Sequence, residues 1–116
     1  MADMVEEFNA YRSKMNEKLL ADNNKIVKRI FNLDTNAFQE GVLSKKTKEI
    51  LGLGNSLVLR CDDCVRYHLE ACHALGLTKE EIVEAMSVSL LIGGTIVIPH
   101  LRKAYEYWEA LEVKKG

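Results

Sequence analysis

Apolar positions recur along this chain at helical intervals almost from end to end. Over Met4–Asp22, Val5, Phe8, Met15 and Leu19 are separated by charged residues, the pattern of an amphipathic helix. Asn23 and Asn24 interrupt or cap it. Lys25–Phe31 starts a further turn or two, which the polar Asn32–Asn36 stretch is expected to break before Ala37–Glu40. Gly41 then suits a helix end, because a residue without Cβ enters left-handed backbone at little cost.

Ser44 is the expected N-cap of a helix over Lys45–Leu59, with Ile50, Leu53, Leu57 and Val58 as its apolar face. Gly52 and Gly54 weaken that helix intrinsically. The run Ser56–Leu59 has strand character but is too short and isolated to change the fold class. Cys61-Asp62-Asp63-Cys64 opens the next helix, which runs to Leu75 and ends at Gly76. Its two acids suit the unpaired amides and dipole of a helix start. Thr78-Lys79-Glu80-Glu81 has the spacing of a capping box, and the helix it begins should bury Ile82, Met86 and Leu90. Gly93-Gly94 either breaks that helix or lets another approach closely. Pro99 fits near the start of a final helix ending around Leu111, with Leu101, Ala104, Tyr105, Trp108 and Leu111 as its packing face. Lys114-Lys115 reads as a solvated tail. With strand alternation and repeats absent, the pattern predicts an all-α, compact bundle of antiparallel helices with the Cys-x-x-Cys at a helix N-terminus. The expected organisation is one domain, 1–116, with 1–36 as an N-terminal helical extension.

Composition narrows the function. Hydrophobic residues make up 47% of the 116, ample for a core, with some left for a subunit interface. Sixteen Lys and Arg against 17 Asp and Glu give a formal net charge of -1, so the basic stripe that tracks phosphates is missing and no nucleic-acid partner is expected. Met1–Glu7 is acidic and lacks a secretory apolar core. Ala85–Ile98 falls short of the roughly 20 residues needed to span a bilayer, and no membrane partner is expected. Three cysteines without a leader indicate catalytic or metal-binding thiols in a reducing, cytoplasmic setting, not a structural disulfide framework.

The sharpest local feature is Cys61-x-x-Cys64-x-x-x-His68. A helix beginning near Asp62 puts His68 one turn beyond Cys64 on the same face, where the imidazole can exchange a proton with the thiol. The cationic imidazole and the helix N-terminus favour thiolate, while Asp62 and Asp63 are expected to oppose it. Cys61 can close a disulfide with Cys64, one cysteine attacking and the other resolving. Glu49 lies among Lys45, Lys46 and Lys48, as a solvated surface acid would. If its helix folds back on the Cys-bearing one, it faces His68 instead and orients the imidazole or takes up its proton.

Glu49, Cys61, Cys64 and His68 together form Glu-x11-Cys-x-x-Cys-x3-His. This resembles the carboxymuconolactone decarboxylase family, in particular its alkylhydroperoxidase-D-like branch. The resemblance runs over roughly Ala37–Leu111 and includes Gly76-Leu77-Thr78-Lys79-Glu80-Glu81-Ile82 and Gly93-Gly94, making 37–111 the family-like core. It implies a peroxidase or dithiol/disulfide oxidoreductase with Cys64 peroxidatic, Cys61 resolving, and His68 and Glu49 as a proton relay. It further implies a hydroperoxide substrate, a small dithiol or thioredoxin-like electron donor, no cofactor, and a homo-oligomer, trimer or hexamer. One position departs from the characterised peroxidases: Asp63 stands where they have histidine.

Other readings of the same residues are a non-enzymatic helical assembly module, in which Cys61 and Cys64 are inert or bind zinc with His68 and one outside ligand, and a decarboxylase or isomerase acting on a small organic acid. Cys64, His68 and Cys72 cannot share one zinc ion, because a rise of about 1.5 Å per residue separates the outer two by about 12 Å. Cys72 is expected to be a buried small hydrophobe. His73 should face elsewhere, His100 has no spacing that brings it to the thiols, and Tyr67 is given no role. Dinucleotide, nucleotide and serine-hydrolase motifs are absent.

Overall fold

The computed structural model describes residues 3–115, so Met1, Ala2 and Gly116, where the expected single unit begins and ends, lie outside it. Among the described residues there are no strands. The elements are α1 (Met4–Ala21), α2 (Lys25–Ala37), α3 (Lys45–Val58), α4 (Asp62–Ala74), α5 (Lys79–Gly93), a 3-10 turn (Thr95–Val97) and α6 (Ile98–Lys115). The all-α expectation holds. Expected caps appear at Ser44, whose hydroxyl accepts from the Thr47 amide, and at Thr78, whose full capping box with Glu81 is formed.

Helices α3 and α4 make a hairpin across the short link Leu59–Cys61, in which Arg60 takes a left-handed φ of 62°. Cys61 then donates its N–H to the Ser56 carbonyl at 3.1 Å, closing the turn. Against this hairpin pack α5, through α3, and α6, through α4, while α1 lies on α6. The shared core comprises Leu53, Leu57, Val65, Leu69, Cys72, Ile82, Met86, Val97, Ala104, Tyr107, Trp108 and Leu111. Each large apolar side chain buried there contributes about 1.5–3 kcal/mol. Glu70 ties three helices together, accepting from Asn9 Nδ2 of α1 at 2.8 Å and from the Tyr107 hydroxyl of α6 at 2.7 Å. Burial, and then the Glu70 carboxylate, pushes the Tyr107 phenol well above its ordinary pKa.

Several expectations need correction. α2 runs unbroken through Asn32–Asn36, because its polar side chains bond within the helix: Asn36 Nδ2 donates to Asn32 Oδ1 and Thr35 Oγ1 to the Phe31 carbonyl, both at 3.1 Å. The carbonyls of Ala37 and, just beyond the helix, Gln39 accept from Lys48 Nζ at 2.8 and 2.7 Å, so the helix ends at Ala37 with Phe38 as its C-cap, well before Gly41. Gly41 sits in the following loop, its N–H donating to Leu43 at 3.0 Å. The glycines that do adopt left-handed backbone are Gly76 and Gly94, with φ of 84° and 82°, ending α4 and α5. α6 continues past Leu111, where Lys114 reaches Asp3 and Glu6 at the start of α1 at 3.4 and 3.1 Å. On that helix Tyr107, not Tyr105, is buried.

Candidate active site

Cys61 is the N-cap of α4, and its sulfur accepts the Cys64 N–H at 3.2 Å. The sulfurs of Cys61 and Cys64 are joined in a disulfide, their Cα atoms 5.3 Å apart. Cys64 is the more exposed of the two and opens, with His68, on a cleft of about 410 Å³. Its other walls are Arg12 and Asn16 of α1, Phe31, Asp34 and Thr35 of α2, and Asp63 and Tyr67 of α4. Sequence reasoning put no site residue on α1 or α2, and gave Tyr67 none. The structure sets the Tyr67 ring edge-on to His68, with centroids 5.1 Å apart, and the Arg12 guanidinium 4.6 Å from the Tyr67 ring centre.

Glu49 is not a surface acid. It is only 1% exposed, and its Oε1 lies 2.8 Å from His68 Nδ1. A carboxylate only accepts, so Nδ1–H donates, and in the neutral imidazole this tautomer leaves the lone pair on Nε2. The second oxygen, Oε2, accepts from Lys45 Nζ at 3.2 Å, and Lys45 also donates to the Phe38 carbonyl. The buried anion is therefore paired on both oxygens, which offsets the cost of desolvating it. The hairpin produces this meeting: Glu49 near the start of α3 comes level with His68 in the middle of α4. Phe38 also packs against the imidazole, with centroids 5.0 Å apart.

The sequence reading gave Gly52 no part in the site. A Cβ there would lie 2.5 Å from His68 Cε1, 2.7 Å from Nδ1 and 2.8 Å from Nε2. The imidazole rests directly on the α3 backbone, in space that any side chain at 52 would fill. The available signal was a glycine inside a helical pattern, which points to close packing.

Asp62 and Asp63 do not stand as bare negative charges beside the thiols. Asp62 Oδ1 is 2.8 Å from His100 Nδ1, and its Oδ2 accepts from Lys103 Nζ at 3.1 Å. Burial pushes the Asp62 carboxyl up, but the hydrogen bonds and charges of His100 and Lys103 outweigh it and hold its pKa below the ordinary value. Asp63 pairs with Arg66 at 2.9 Å. His100, which no spacing argument brought to this region, thus reaches the residue next to Cys61. His73 lies instead against Trp108, with centroids 5.0 Å apart. Cys72 is fully buried, and burial, reinforced by the Glu49 charge, pushes its thiol up to about 12.

Among the described residues, no group of three His, Cys, Asp or Glu side chains is placed to hold a metal ion. Cys61 and Cys64, bonded to each other, have no thiolate to offer zinc in this state. No described helix is long and apolar enough to cross a membrane.

The profile of the carboxymuconolactone decarboxylase family matches residues 24–107. A Thermotoga maritima protein of that family, TM1620, is 48% identical and superposes with a TM-score of 0.91 over 94% of this chain and 96% of its own. A second crystal structure of that protein gives 47% identity and a TM-score of 0.90 over 94% of this chain and 92% of its own. A family member from Legionella pneumophila, 22% identical, shares the fold, with a TM-score of 0.84 over 94% of this chain and 97% of its own. An uncharacterized protein of Cupriavidus necator is 29% identical over 65% of this chain and 66% of its own length. Uncharacterized protein 4 in the cox locus of Paracoccus denitrificans is 30% identical over 58% of this chain and 60% of its own. The chain thus spans a little under two thirds of these two relatives.

Proposed function

The chain belongs to the carboxymuconolactone decarboxylase family, and from that premise we propose that it is a thiol-dependent peroxidase of the alkylhydroperoxidase-D-like kind. The observation that carries the reading is the buried Glu49–His68 pair, 2.8 Å apart, beneath the cleft on which Cys64 opens. The Thermotoga maritima relative, described with a possible part in the antioxidative response, supports the same chemistry.

In the proposed cycle His68 Nε2, held in the right tautomer by Glu49, takes the Cys64 proton. The thiolate attacks one peroxide oxygen, the O–O bond breaks, and the departing alkoxide or hydroxide receives a proton from the imidazolium. Cys64 is left as the sulfenic acid. Cys61 sulfur attacks Cys64 sulfur, water leaves, and the disulfide seen in the structure forms. A small dithiol or thioredoxin-like donor in a reducing cytoplasm then returns two electrons and two protons. No bound cofactor is required. Arg12 on the cleft wall favours an anionic transition state.

We assign the working form as a homo-oligomer, trimer or hexamer. α2 buries none of its residues, and its Ile26, Ile30 and Leu33 are 69%, 61% and 64% exposed. Val88, Leu91, Ile92 and Ile96 are likewise uncovered on α5 and the 3-10 turn. That much apolar surface on a chain this small fits a second copy.

The test is reductant-coupled peroxide turnover by wild type, Cys61→Ser, Cys64→Ser and Glu49→Gln. Turnover by wild type that is abolished in both cysteine variants and strongly reduced in Glu49→Gln is expected. Undiminished turnover in the Cys64 variant, or none in wild type with any dithiol donor, contradicts the proposal.

A further inference from the structure

The two acids between the cysteines are each matched by cations from a defined place in the fold. Asp63 is matched within its own helix, by Arg66. Asp62 is matched across the bundle, by two residues at the start of α6 that lie 38 and 41 positions away in sequence. Asp62 is the first residue of α4, directly after the N-cap Cys61, and its carboxylate is about three quarters buried. Lys103 and, when protonated, His100 offset the Asp62 charge: the group sums to a net positive charge with His100 protonated and to neutrality with it neutral, so no surplus negative charge stands beside the sulfurs in either state.

We infer that His100 and Lys103 are positioning residues for the redox pair: acting through Asp62, they set how readily the Cys61–Cys64 disulfide is reduced. The inference rests on the redox reading of that pair. The lowered carboxyl pKa of Asp62 agrees with a strong interaction between these groups. The physical link is the thiolate. The reduced form carries part of its population as thiolate, which nearby negative charge disfavours and positive charge favours. Cancelling Asp62 therefore stabilises the reduced form against the uncharged disulfide.

The sign of this effect separates it from a structural role. His100→Ala leaves Asp62 matched by Lys103 alone, a largely exposed and therefore well-screened cation, and should shift the equilibrium toward disulfide. Asp62→Asn removes the anion and leaves both cations, and should shift it toward dithiol. Both variants weaken the same His100–Asp62 contact, His100→Ala by removing the donor and Asp62→Asn by replacing the carboxylate with a neutral amide oxygen, so a role confined to holding α4 against α6 would move both the same way.

The experiment is equilibration of the full chain at neutral pH with reduced and oxidised dithiothreitol, the dithiol and disulfide forms being counted by mass spectrometry after acid quench and alkylation. In each exchange two electrons and two protons pass from dithiothreitol to the Cys61–Cys64 disulfide. Opposite shifts of about threefold in the equilibrium constant are expected for the two variants, the size of a single partly screened charge. Lys103→Gln, at a largely exposed side chain, should shift in the direction of His100→Ala by a smaller factor and serves if His100→Ala does not fold. A wild-type couple that responds to dithiothreitol, with shifts of the same sign or none in the variants, overturns this inference alone. A wild-type disulfide that never equilibrates overturns the redox reading and the inference with it.

Discussion

Replacing Gly52 by alanine adds one methyl group where the His68 ring now lies. The new carbon would stand 2.5–2.8 Å from three ring atoms, against the ordinary contact distance of about 3.5–4.0 Å. The ring has to retreat by about 1 Å, and Phe38 and Tyr67 both pack against it. A retreat of that size stretches the 2.8 Å bond to Glu49 beyond hydrogen-bonding range, about 3.5 Å. Loss of a hydrogen bond to a charged, buried group costs about 1.5–3 kcal/mol, while the better helix propensity of alanine returns about 1 kcal/mol. A net destabilisation of about 0.5–2 kcal/mol follows, measured by urea unfolding of the oxidised protein. Positioned acid–base catalysis contributes about 10²–10⁴-fold, so peroxide consumption by the reduced protein, followed by stopped flow, should fall about 100-fold. Gly54→Ala is the control: its Cβ meets only the Ser89 hydroxyl, at 3.1 Å, and touches no part of His68. A Gly52→Ala protein with wild-type stability and wild-type peroxide rate would refute the placement of His68 against α3.

Cys72, with its thiol pushed up to about 12, should resist iodoacetamide at neutral pH in the reduced folded protein and react only after unfolding; prompt labelling would show that it is not buried as described. Asp62 has a folded pKa below its unfolded value, so its stabilising contribution is full above the ordinary carboxylate range and is lost as pH falls through the lowered value. Asp62→Asn should accordingly be less stable than wild type at neutral pH, with the gap closing in strong acid. A gap that persists there would remove the charge from the explanation. Sedimentation at micromolar concentration should give a trimer or hexamer, and Ile30→Glu with Leu33→Glu should shift it toward smaller species; a wild-type monomer would contradict self-association through α2.

The fold class was legible because its signals are local. Capping at Ser44 and Thr78, the glycine after α4, and the 3.6-residue spacing of core positions all lie within a turn or two of each other. The candidate site was partly legible for the same reason, since Cys61, Cys64 and His68 lie on one helix and its N-cap, within two turns. Glu49 needed the hairpin, and the pattern could say only that a fold-back would bring it to His68. What escaped depends on distant pairings. Arg12 and Asp34 reach the cleft from helices whose packing no periodicity specifies, and His100 meets Asp62 across 38 positions. The polar stretch Asn32–Asn36 misled because asparagine and threonine side chains bonded along the helix instead of interrupting it. Tyr105 and Tyr107 exchanged roles because residues two apart on a helix face different ways, and the side that α1 and α4 cover decides which is buried.

The central claim is that Cys64, served by the Glu49–His68 pair, is the sulfur that attacks. The most direct measurement adds one equivalent of peroxide to reduced Cys61→Ser and reduced Cys64→Ser proteins and maps sulfenic acid by trapping and mass spectrometry. The account predicts rapid accumulation on Cys64 in the first protein, slowed by His68→Ala more at neutral than at high pH, and a Cys61 left largely reduced in the second. Rapid oxidation of Cys61 in the absence of Cys64 would contradict it and make the pair a dithiol whose first cysteine is the nucleophile.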